Sequence, residues 1–258
     1  MSTAWVDQVP LRFAAYHNFK HGADVLLQVA HYMFVCGARE MLTPLDMLAL
    51  GPTYRPRHDV SHPGLNNAYQ VNAQTWLAVR YSDAAVLEAH SAAVVSDLAR
   101  AHGLLAGLGA ADFRRARNVI CASILGTDMA SHFKTMQRLE AFCDAHAGPR
   151  VVLEAEERKF LCDVLLHCAD VSNPARPWAA SKKWSDLVCA EFFLQGDREA
   201  AAGLPISPNC NRRASQQPQL AMAFGDHIVQ PLFQLAARLL PSLEATALAD
   251  LTANRKHW

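Results

Sequence analysis

Residues 159–174 read KFLCDVLLHCADVSNP. Leu161, Val164, Leu165 and Cys168 recur at steps of three and four, the period of one face of a helix, and no alternation of β-branched residues competes with it. The run then meets Ser172, Asn173 and Pro174, residues that favour a turn and cannot prolong a helix. The same period continues on both sides. Downstream it joins Trp184, Leu187, Val188 and Phe192, then Phe224, Ile228, Leu232, Leu235 and Leu239. Upstream it joins Ile124, Leu125, Met129, Phe133 and Met136, and before them Val86, Leu87, His90, Val94, Val95 and Leu98. Breaks are expected where Pro and Gly cluster, at 51–64, 103–110, 147–149, 173–177 and 203–218. The pattern predicts one compact all-α domain over residues 1–258, with a long irregular loop before its last helices.

Composition narrows the function. The 258 residues are 51% apolar and 19% charged, enough to bury a sizeable core. A formal net charge of +0 offers no general attraction to polymeric nucleic acid or to an anionic membrane. The 7 cysteines include no CxxC, which reads as reduced thiols in a cytoplasmic protein. The first residues lack the pattern of a signal peptide, and Val25–Cys36 is too short and too interrupted, by Gln28 and His31, to span a bilayer. The oligomeric state is left open.

Three stretches carry chemistry: YHNFKHGADV at 16–25, HDVSHPGLNN at 58–67 and HCADVSNP at 167–174. If the first is helical, His17 and His21 lie one turn apart on one face. Adjacent His58 and Asp59, with a distant His and a distant Asp, make a mixed nitrogen and oxygen set suited to a borderline divalent metal. One carboxylate can also bridge to a second, harder cation. Two cations would neutralise a phosphodiester and lower the pKa of a shared water, and a nearby histidinium could protonate the departing oxygen. Each stretch alone also reads as structure: a surface His pair, a chance His-Asp, a helix end. Their joint occurrence favours the chemistry.

Together these stretches resemble the class I cyclic-nucleotide phosphodiesterases. The resemblance extends to RYSDAAVLEAH and ILGTDMASHF as connecting helices, EFFLQGDREAAAGLPISPNC and FGDHIVQPL as a substrate pocket, and NRKHW as a closing helix, from about residue 13 to the end. It implies an HD-type helical domain that converts cyclic AMP, cyclic GMP or both to the 5′-monophosphate by a two-metal-activated hydroxide. It implies zinc held by His21, His58, Asp59 and Asp170, with Asp59 bridging to Mg²⁺ (or Mn²⁺). The waters of that second ion would be contacted by His62, Glu88 and Thr127 and ordered by Asn67. His17 would be the general acid, oriented by Glu88. Asn173, Val188, Phe192 and Phe224 would line the base pocket, with Val188 and Phe224 gripping the purine.

Three departures from that family pattern add expectations. Gly51–Arg57, GPTYRPR, stands where an apolar helix would lead to the His-Asp pair, and predicts an irregular loop. The glutamine expected three residues before Phe224 is Ala221, leaving Gln219 as the nearest amide. Only fifteen residues precede Tyr16, where the family has several helices, so exposed apolar surface is expected. The departures motivate a second reading, a homologue that binds nucleotide or a partner without turnover. A third reading is another HD-type phosphohydrolase acting on nucleoside phosphates.

Overall fold

The computed structural model describes residues 14–51, 59–146 and 152–258. Among these residues there are α-helices, short 3₁₀ and π turns, and no strand. The helices run α1 Phe19–Phe34, α2 Pro44–Leu50, α3 Asn67–Asn72, α4 Trp76–Tyr81, α5 Val86–Ala101 and α6 Ala110–Leu125. They continue with α7 His132–Ala145, α8 Ala155–Asp170, α9 Trp178–Ala201, α10 Gln217–Phe224, α11 Gln230–Leu239 and α12 Ala249–Arg255.

Residues 159–174 run through the centre of the molecule. Helix α8 packs against α1, α2 and α6, and its Leu161, Val164 and Leu165 join Val25 and Val29 of α1, Ile120 of α6 and Phe233 of α11 in one core. A fully buried side chain of this kind stabilises the fold by about 1.5–3 kcal/mol, so truncating Leu161 costs about 2–5 kcal/mol once its cavity is included. The helix starts are specified locally. Thr43 and Asp46 form a capping box around Pro44, and Glu154 and Glu157 form another before α8. Asp46 then turns inward and is buried between Arg158 Nε at 3.0 Å and Arg115 at 3.1 Å, which ties α2, α6 and α8 together.

Two predicted stripes are interrupted. The stripe from Ile124 to Met136 is not one helix: α6 ends at Gly126, and the Asp128 carboxylate accepts from the Ala130 amide at 3.0 Å to start a new turn. Leu125, Met129 and Phe133 therefore reach solvent rather than the core. The stripe from Phe224 to Leu239 is α10 and α11 joined by a π turn, Gly225–Val229. Pro231 has no N–H to continue the α ladder there, and the wider turn absorbs that gap.

The connection from 203 to 216, expected as a long loop, is irregular but firmly docked. Glu199 accepts from the Ser207 amide at 2.7 Å and hydroxyl at 2.5 Å. Gly196 lets the Cys210 carbonyl approach so closely that a Cβ would lie 1.9 Å from it. At the end of α8, fully buried His167 shares a hydrogen bond with fully buried His132 of α7, Nε2 to Nδ1 at 2.9 Å. The outer face of α1 presents Phe19, Leu27, Phe34 and Val35 to solvent, in keeping with the expected exposed apolar surface. Among the described residues no helix is long and apolar enough to cross a membrane. Helix α2 ends at Leu50 with Gly51 extended beyond it, while Pro52–Arg57 and His58 lie outside the described residues.

Candidate metal centre and its cleft

The helical register expected from His17 to His21 does not reach His17. Asn18 caps α1, its side chain accepting from the Lys20 amide at 2.9 Å, so His17 stands in the turn just before the helix. His21 sits in the first turn and is fully buried. The two rings still meet edge to face, with centroids 5.7 Å apart.

Three of the sequence-derived ligands converge. Helix α8 ends on Asp170, whose Oδ1 lies 2.9 Å from His21 Nε2, and Asp59 Oδ2 lies 3.4 Å from the same nitrogen. His21, Asp59 and Asp170 present their ligand atoms within 4.8 Å of one another. An imidazole nitrogen with two carboxylate oxygens is a donor set that can hold a divalent metal ion. His58, the fourth expected ligand, lies outside the described residues although Asp59 beside it is in place.

Beside this group stands a second one. His17 Nδ1 meets a carboxylate oxygen of Glu191, while the other oxygen of Glu191 accepts from the amides of Tyr16 at 2.8 Å and His17 at 3.1 Å. Burial pulls the His17 pKa down, but the Glu191 hydrogen bond and the charges of Glu191, Asp59 and Asp170 outweigh it and lift the value to about 9. His62 stacks on His17 with centroids 4.1 Å apart. Its Nδ1 accepts from the Gly64 amide at 3.1 Å, so the proton of the neutral ring is on Nε2. Burial, then the charge of His17, lowers the His62 pKa to about 3 and keeps this ring neutral.

The carboxylate against His17 is thus Glu191, not Glu88 as the resemblance implied. Glu88 instead accepts from Asn67 Nδ2 at 2.9 Å, and Asn67 Oδ1 accepts from the Leu87 amide at 3.0 Å, so Asn67 joins the start of α3 to the start of α5. Burial raises the Glu88 pKa, and the nearby charges of Asp128 and Asp59 add to it. Thr127 is buried and donates to the Ile124 carbonyl at 2.7 Å. In the sequence Glu191 could not be told from a surface acid. Glu191, Gln195 and Glu199 recur every four residues on α9, a spacing that reads as a solvated face, yet all three are buried. Gln195 accepts from the Asn66 amide at 2.8 Å, so the polar seam of α9 holds both approaches to the site.

A cleft of about 400 Å³ opens from this centre, within the range of small-molecule sites. Tyr16, His17 and Asp170 line its inner end. Tyr16 donates its hydroxyl to Asn173 Oδ1, and Asn173 Nδ2 donates to Asp24, which also pairs with Arg176 at 3.1 Å. Asn254 of α12 donates to the carbonyls of Pro174 and Arg176 at 2.8 and 2.6 Å, pinning that turn. Asn173, Val188, Phe192 and Phe224, the residues expected at a base pocket, all line the cleft. Gln219 does not: it is exposed, and Ala221 lines the wall instead. Two residues along α10 amount to about 200° of rotation, which turns Gln219 away from the side that Ala221 shows.

With this geometry established, the chain can be placed among known proteins. The family described as 3'5'-cyclic nucleotide phosphodiesterase matches residues 16–250. The high affinity cGMP-specific 3',5'-cyclic phosphodiesterase 9A of Mus musculus is 34% identical over 249 residues, covering 94% of this chain and 45% of that protein. The 3',5'-cyclic-AMP phosphodiesterase 4C of Mus musculus is also 34% identical, over 95% of this chain and 36% of its own length. The chain therefore spans less than half the length of these relatives. Among solved structures, the phosphodiesterase domain of the RhoPDE fusion protein from Salpingoeca rosetta superimposes with a TM-score of 0.87 at 30% identity, over 95% of this chain and 77% of that one.

Proposed function

The chain belongs to the 3'5'-cyclic nucleotide phosphodiesterase family, and from that premise we propose that it hydrolyses 3′,5′-cyclic nucleotides to 5′-monophosphates. The observation that carries this reading is the His21, Asp59 and Asp170 group beside a His17–Glu191 pair at the inner end of one cleft. The donor set suits zinc, with His58 as its fourth ligand, and Asp59 would be shared with a harder ion such as Mg²⁺ or Mn²⁺. Glu88, His62, Asn67 and Thr127 would order the water around that second ion. When bound, the two cations neutralise the phosphate and lower the pKa of a water molecule toward neutrality.

The remaining work falls to the chain's own residues. His17, with a pKa near 9, enters the reaction protonated at neutral pH and donates to the departing O3′. Glu191 holds the imidazole through Nδ1, which leaves Nε2 as the donating nitrogen. Tyr16 stays a phenol, because burial and then the charge of Asp170 raise its pKa well above the usual value, and its hydroxyl keeps Asn173 in place. Val188, Phe192 and Phe224 offer apolar faces between which a flat base can lie.

Hydrolysis of cyclic AMP and cyclic GMP by the purified chain, with and without added Zn²⁺ and Mg²⁺, tests the reading. Metal-dependent release of the 5′-monophosphate is the expected result. A folded, metal-loaded protein that turns over neither would overturn it in favour of a homologue that binds without reacting.

A further inference from the structure

The wall of the cleft that faces a bound base carries almost nothing able to read that base's edge. Helix α10 and the π turn contribute Leu220, Ala221, Ala223, Phe224 and Ile228, none with a polar side-chain atom. The opposite wall, from α9, adds Val188 and Phe192 with the hydroxyls of Ser181 and Ser185. Ser185 accepts from Gln217 Nε2 at 3.1 Å, so that hydroxyl is already engaged. A serine hydroxyl can donate or accept, and neither Ser181 nor Ser185 demands one pattern on the ligand. Two side-chain amides line the cleft away from that wall: Asn173 is committed on both sides, accepting from Tyr16 and donating to Asp24, and Asn209 is exposed on the irregular connection after α9.

Resting on the reading of this cleft as a cyclic-nucleotide site, we propose that the wall built by α10 and the π turn holds the base by shape and stacking alone. The chain accepts purine and pyrimidine 3′,5′-cyclic nucleotides alike, and Ala221 is the position that leaves the edge unread. The physical reason is an asymmetry in how sites discriminate. A pocket that offers only apolar contact separates related ligands by about 10–200-fold, whereas a pocket built to hydrogen-bond one edge rejects the wrong one by about 10⁴–10⁵-fold. Nothing in the Leu220–Ile228 wall would be left unpaired by any base, so no base is penalised there.

The test is a panel of cyclic AMP, cyclic GMP, cyclic CMP and cyclic UMP, read as kcat/KM and as Kd by calorimetry on the same metal-loaded protein. Values spread over no more than about 200-fold support the proposal, and a wider preference for one base overturns it. Ala221→Gln should widen the spread at least about tenfold, while Ser181→Ala should change it by less than about threefold. A collapse of selectivity in Ser181→Ala would make that hydroxyl the reader and sink the role given to Ala221. Should no cyclic nucleotide be hydrolysed, the catalytic reading fails, and the Kd spread, judged against the same limit, still decides whether the wall reads bases. Absence of both turnover and binding overturns both.

Discussion

The two ends of the cleft are built on different principles. At the inner end, polar atoms hold one another: His17 with Glu191, Tyr16 with Asn173, Asn173 with Asp24, Asp24 with Arg176, and His21 with Asp170. At the outer end, the apolar side chains of Val188, Phe192, Phe224 and Ile228 line opposite walls. Directional bonds fix an atom's position and its proton, whereas apolar contact fixes only the volume that remains. The inner end is therefore specified atom by atom, and the outer end by shape. Substitutions at one should destroy the chemistry, and at the other only alter what is held.

The sharpest test is Asp170→Ala. It removes one of the carboxylates facing His21, and metal content and turnover should both vanish, with turnover falling by roughly 10⁴-fold or more. Elemental analysis beside an activity assay checks it, and full metal occupancy would remove Asp170 from the ligand set. Next comes His17→Ala, which should keep its metal and fold and lose roughly 10²–10⁴-fold in kcat. Normal turnover in that variant would leave the Glu191 pair without a catalytic purpose.

Glu191→Gln should have a smaller, pH-dependent effect. A general acid works only while protonated, so activity is lost as pH rises through the His17 pKa, near 9 in the native chain. Without the carboxylate that value falls, and the alkaline limb of the kcat profile should move to lower pH by more than about one unit. An unmoved limb would mean that another group sets it. Phe224→Ala should do least, raising KM about tenfold through lost stacking and leaving kcat within about twofold. If it lowered kcat as far as His17→Ala does, the division between the two ends would collapse.

Much of this was legible in the residues themselves. The four-residue spacing of Leu161, Val164, Leu165 and Cys168 reported the central helix, because burial on one face leaves a periodic trace. The clusters around His21, Asp59 and Asp170 pointed to one site, and the fold brings their side chains into a group that could hold a metal ion. What was not legible depends on three-dimensional detail. Glu191 escaped notice since an acid on a helix normally faces water, and only the fold shows that α9 buries its polar seam. Likewise, neighbouring positions could not reveal whether Gln219 or Ala221 faces the cleft, which depends on where α10 sits and how its turns are phased. The Ile124–Met136 stripe misled because a Gly126 cap and a short turn preserve the spacing while changing direction.

The floor of the cleft also dictates a sequence of events. Asp170 lines it, with Asp59 and Glu191 in the adjoining groups and Asp24 behind Asn173, offset among neighbouring side chains by Arg176 and protonated His17. A cyclic phosphate arriving first would meet mostly its own sign of charge at short range, where the field is strongest. Cations arriving first reverse that sign. On the proposed reading, the ions would therefore load ahead of the nucleotide, and the chain's own acidity would hold the nucleotide off until the cations are in place.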